Sequence, residues 1–85
     1  MGFEDKTGFW RNSKTGAVWE LFVKDGELIV NVPNFSFQIL PLSPNEFRPV
    51  NTAVNLDIHF ELNQNQIFLM HVLAKGIRRA TFKAL

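Results

Sequence analysis

Leu56, Ile58, Phe60 and Leu62 are apolar, and Asp57, His59 and Glu61 between them are polar. This period of two marks a strand with one buried face and one wet face. The pattern continues as two further strands over 66–73 and 77–84, with residues 74–76 making the last turn. Upstream, residues 8–11 open a first strand and residues 12–16 (NSKTG) read as a turn. Residues 17–24 (AVWELFVK) are rich in β-branched and aromatic side chains and predict a second strand. Asp25-Gly26 then predicts a type I′ hairpin turn, which needs positive φ at both central positions.

Residues 27–32 predict a third strand and Pro33-Asn34 a turn. Residues 35–40 predict a fourth strand, with Phe35, Phe37 and Ile39 on one side. Residues 41–45 (PLSPN) read as a rigid connector, because each proline fixes φ and removes a donor. A short fifth strand covers 46–50, where Pro49 marks an edge or an end. Residues 51–54 read as a loop before the sixth strand at 55–62. No stretch reads as an amphipathic helix. Residues 1–7 read as a loose lead-in, and 8–85 as one domain.

Eight short strands joined by sequential turns predict an all-β fold, a small up-and-down antiparallel meander. Closure into a barrel would remove the open edges of such a sheet. An eight-stranded barrel is about wide enough for side chains to fill, so any cavity should be small. One choice stays open in the pattern. An even loop at 63–66 pairs Leu62 with Ile67 and turns Ile67, Leu69, His71 and Leu73 inward. An odd loop turns Phe68, Met70 and Val72 inward instead, since a one-residue slip exchanges the faces. Either way the seventh strand leaves an apolar row outside. In the odd register that row holds Ile67, Leu69 and Leu73, candidates for a contact surface.

Composition narrows the picture. The 85 residues are 46% hydrophobic and include nine Phe and two Trp, ample for a core and unlike a disordered chain. There is no Cys, so disulfides, thiolate chemistry and Cys-based zinc sites are excluded, while the compartment stays open. A net charge of +1 gives no reason to expect nucleic acid or an anionic membrane as partner. No apolar run is long enough for a transmembrane helix, and no signal-peptide core is present. The localisation is therefore unassigned.

Candidate chemistry is sparse. Lys14-Thr15-Gly16 spells the KTG triplet of serine β-lactamases, but no Ser is followed three residues later by Lys. The triplet also falls in an expected turn. His59 and His71 could face each other in the odd register, with Asp57 or Glu61 nearby. Two histidines without cysteine make a poor zinc set. No Ser lies in a nucleophile-elbow context, and Asp57 and Glu61 read as solvated carboxylates. Arg78, Arg79 and Lys83 cluster on the last strand, with Glu46, Asp57 and Glu61 diluting their field. No catalytic residue, metal ligand or cofactor site is assigned.

Gly8-Phe9-Trp10 resembles the G-x-W element of lipocalins, in which an Arg of the last strand packs on the Trp and closes the barrel floor. Arg78 or Arg79 would then supply the cation. A longer pattern covers residues 8–83: Gly8 before an aromatic, Val23-Lys24-Asp25-Gly26-Glu27-Leu28, the run 37–47 (FQILPLSPNEF), Phe60, Ile67, Gly76 and an Arg-containing last strand. It resembles the small C-terminal domain of unknown function of serine β-lactamase-like hydrolases. The resemblance implies a lipocalin-like barrel without catalytic residues, appended to a catalytic domain outside these residues, and it favours Met70 and Val72 pointing inward. The expected partners are that hydrolase domain or a second copy of the chain. A second reading is a barrel holding a small apolar ligand or peptide among Trp10, Trp19, Phe22 and Phe37.

Overall fold

The computed structural model describes residues 3–50, 53, 55–64 and 66–85, and the side chains of 67 and 68 lie outside the description. Eight antiparallel strands close into a barrel in simple sequential order. They are β1 (Gly8–Asn12), β2 (Val18–Lys24), β3 (Glu27–Val32), β4 (Phe35–Ser43), β5 (Glu46–Val50), β6 (Asp57–Asn63), β7 (Gln66–Ala74) and β8 (Ile77–Ala84). The alternation that defines β6 does what its period requires up to Glu61. Ile58 and Phe60 are buried and Glu61 is exposed on the wet face, but Leu62, expected in the buried row, is 45% exposed beyond the register shift that follows Glu61. Asp25 and Gly26 both have positive φ, and so do Lys75 and Gly76. Both turns therefore have the twist that matches the flanking strands.

The two candidate registers of the β6–β7 hairpin are both present, joined by a bulge. At the tip Leu62 pairs with Ile67 and Asn63 with Gln66, the even arrangement. Below it Phe60 pairs with Met70 and Ile58 with Val72, the odd one. The bulge lets a two-residue turn coexist with an inward Met70 and Val72, both of them buried.

Two expectations are corrected. Residues 41–43 are not a connector: β4 runs on to Ser43, and Pro41 pairs with Phe47. The ladder tolerates the proline because a register shift lies between Pro41 and Ser43. The lead-in is not loose over the residues described. Glu4–Lys6 form a single 3-10 turn, and Phe3 packs edge-on against Phe47 with ring centroids 5.7 Å apart. This turn caps the end of the barrel where β1 starts and β8 finishes. The loop expected over residues 51–54 lies largely outside the described residues.

The interior is filled by Trp10, Phe37, Phe47, Phe60 and Phe82 together with Met70 and aliphatic residues of β2, β3, β4, β6 and β7. Trp10 is 1% exposed, and its Nε1–H donates to the Lys6 carbonyl at 3.0 Å. The Lys6 side chain enters the barrel end, with Nζ 5.7 Å and 5.6 Å from the Phe47 and Phe60 ring centroids and 3.3 Å from Asp5 Oδ1. The ammonium is thus met by two aromatic faces and one carboxylate, which offsets its loss of water.

Candidate functional site: the open seam between β1 and β8

Closure between the first and last strands is short. Trp10, Arg11 and Asn12 pair with Ala84, Lys83 and Phe82, and Leu85 N–H adds a bond to the Phe9 carbonyl at 2.9 Å. At Asn12 the chain leaves the sheet. Asn12 Oδ1 accepts the Lys14 and Thr15 amides at 2.8 and 3.2 Å, and its carbonyl accepts the Gly16 amide at 2.8 Å. Gly16 has φ +78, which a side chain would strain. The KTG triplet is therefore turn structure held by one buried asparagine. Because β1 stops there, residues 78–81 of β8 have no strand partner on their β1 side.

The gap is an open cleft of about 210 Å³ between residues 12–15 and residues 78–81. Lys14, Arg78 and Arg79 line it, with hydroxyls from Ser13, Thr15 and Thr81. All three cations are exposed.

Thr81 also ends a hydrogen-bonded chain across three strands. His71 is 6% exposed although its neighbours Met70 and Val72 are the ones that face the core. Its Nε2 lies 2.6 Å from Glu61 Oε1, and its Nδ1 lies 3.0 Å from Thr81 Oγ1. With Nε2–H given to the carboxylate, a neutral imidazole accepts the Thr81 hydroxyl at Nδ1. His59 and His71 are directly opposed, as the odd register requires. Both ring nitrogens of His71 are engaged by Glu61 and Thr81, so the ring has no lone pair for a metal while the chain is intact. The amides of residues 14–17 cannot assist as oxyanion donors, since Asn12 and Thr15 take them.

The other sequence candidates fall as follows. Trp10 closes the capped end, but Arg78 does not stack on it. β8 runs antiparallel to β1, so Trp10 meets Ala84, and Arg78 lies at the far end. Among the described residues the cation over aromatic rings is Lys6. Trp19 is half-buried and tilts over Phe82 at 4.5 Å, and Phe37 is buried beside Phe35. Phe22 is not a lining residue: it pairs with Ile29 on the outer face, next to inward Leu21. Leu69 and Leu73 are half-buried on the outer face of β7, opposite Glu61 and Asp57, and the Ile67 side chain lies outside the description. The cleft itself was hidden in the sequence. Glu46, Asp57 and Glu61 stand on β5 and β6, away from the seam, and Lys14 reaches Arg78 only when the barrel closes.

The described residues thus define a small closed up-and-down barrel with a filled interior and a basic seam. No protein-family model, curated protein or solved structure matches the chain.

Proposed function

We propose that the chain is a non-catalytic accessory domain that works through the outside of its barrel, in packing against a larger folded domain or in self-association. The filled interior carries this reading. A ligand-holding barrel needs a pocket of about 300 Å³ or more. Here Trp10, Leu21, Leu28, Ile39, Phe47, Ile58, Met70 and Phe82 are each at most 2% exposed. The outer surface offers a contact face instead. On β2, Leu21 faces in, while Val18 and Phe22 face out on either side of Glu20. Phe9 and Val18, 52% and 41% exposed, border a groove of about 220 Å³ that continues to Val32 and Pro33. This face is broader than the half-buried Leu69 and Leu73 of β7.

The resemblance to the accessory domain of serine β-lactamase-like hydrolases names a catalytic domain of that class as the partner. Titration of tryptophan fluorescence with a long-chain fatty acid tests the reading. No saturable change is expected, and micromolar saturable binding would support the ligand barrel instead. Light scattering over a range of concentration separates the two modes of contact. A dimer dispersed by Phe9→Asp assigns the groove to self-association, and a monomer assigns it to the catalytic domain.

A further inference from the structure

We infer that the cleft between β8 and the β1–β2 turn binds a doubly charged oxyanion of the phosphate type, with His71 setting its affinity through Thr81. This inference is independent of the docking face on β1 and β2.

The near-zero net charge conceals a segregation. Arg11, Lys14, Lys75, Arg78, Arg79 and Lys83 all stand on β1, β8 or the turns that adjoin them. None of the eight carboxylate side chains stands on β1, β8 or the turns at their open ends: they lie on the 3-10 turn at the capped end, β2, the β2–β3 turn, β3, β5 and β6. The three acids nearest in sequence pattern are engaged: Glu46 by Ser43 at 3.2 Å, Asp57 by Arg48 at 3.3 Å, and Glu61 by His71 at 2.6 Å. Among the described residues the ion pairs are Lys6 with Asp5, Arg48 with Asp57 and His71 with Glu61, which leaves Lys14, Arg78 and Arg79 without a carboxylate. Two guanidinium groups and an ammonium therefore border one concave site with no internal anion. Arginine matches the oxygens of a phosphate or sulfate in paired hydrogen bonds, and hydroxyls complete the shell.

Thr81 makes the site responsive to pH. The groups facing His71 are Glu61, His59 and Asp57 from β6, and Thr81 from β8 with Lys83 and Arg78 to either side. When His71 is neutral, the Thr81 hydrogen points to Nδ1 and only oxygen lone pairs face the cleft. When His71 is protonated, Nδ1–H donates to Thr81 Oγ1. The hydroxyl hydrogen is then free to donate to the bound anion, and a positive charge lies behind it. Protonation and anion binding strengthen each other by the same factor.

The test is amide chemical-shift titration of the full chain with sodium sulfate against sodium chloride at matched ionic strength. Sulfate keeps its double charge across the pH series. Saturable shifts confined to residues 13–15 and 78–81 are expected, with affinity about fivefold or more tighter at the acidic end of the series than at the basic end. The doubly substituted R78A/R79A chain, altered only at exposed side chains, should lose roughly tenfold or more in affinity. His71→Gln keeps both hydrogen-bond positions and should bind with no pH dependence. A nucleoside monophosphate and an oligothymidylate identify the source of the anion: equal affinity indicates a free phosphate group, and tighter binding of the oligomer one carried on a polymer. Shifts that do not saturate, or that chloride reproduces, would overturn the site. A pH-independent sulfate affinity in the unaltered chain would overturn the role of His71.

Discussion

The two ends of the barrel treat their cations in opposite ways. At the capped end Lys6 is drawn inside, where two phenylalanine rings, Asp5 and a covering 3-10 turn take the place of water. At the other end β1 stops at Asn12, and Lys14, Arg78 and Arg79 stand around an open cleft with no carboxylate partner among the described residues. A cation whose interactions are complete belongs to the fold. Cations that share a concavity without a counter-charge are poised for an anion from outside. The same residue type thus marks structure at one end and binding at the other, and burial with pairing tells them apart.

Substitutions can break the comparison at either end. The largest effect should come from Trp10→Ala, which empties the site of the largest fully buried side chain and frees the Lys6 carbonyl. It should cost about 3–5 kcal/mol in chemical denaturation, enough to threaten folding of so small a domain. Lys6→Ala removes the buried stem and its contact with Phe47 and Phe60, and should cost about 1–3 kcal/mol. Lys6→Met keeps the stem and should cost less than about 1 kcal/mol, since an apolar replacement of a buried charge is often neutral. A loss as large as that of the alanine variant would show that charge, not packing, holds the cap.

Gly8→Ala probes the entry to β1. Gly8 has φ +115 with open space around it, so the penalty is backbone strain alone, about 1–2 kcal/mol by thermal denaturation. The smallest effect on stability should come from R78A/R79A, within about 0.5 kcal/mol of the unaltered chain. Those two changes should nevertheless weaken sulfate binding by roughly tenfold or more, which sharpens the contrast between the ends.

Features written in short-range pattern were legible in the sequence. The period of two in β6 and the Asp25-Gly26 turn depend only on neighbours; the turn is as expected, and so is the alternation up to Glu61, past which the bulge leaves Leu62 exposed. The hairpin at 63–66 was ambiguous for a physical reason. Its turn and its core favour different registers, and the bulge satisfies both. What stayed hidden depends on closure. Phe3 and Lys6 belong to a polar stretch with no period, and only Phe47 and Phe60 on distant strands give them a place. Arg78 was expected beside Trp10, but an antiparallel last strand brings its C-terminal residues there instead. That geometry also places Lys14 with the arginines, which no count along the chain could reveal.

The most direct test of a capped end and an open end is hydrogen exchange at the two tryptophan indoles, each a single resolved resonance. Trp10 Nε1–H is bonded to the Lys6 carbonyl under the cap, while Trp19 is half-buried near the start of β2 at the open end. The Trp10 indole should exchange only through global unfolding, and the Trp19 indole much faster. Rapid exchange at Trp10, or equal protection at both, would contradict the account.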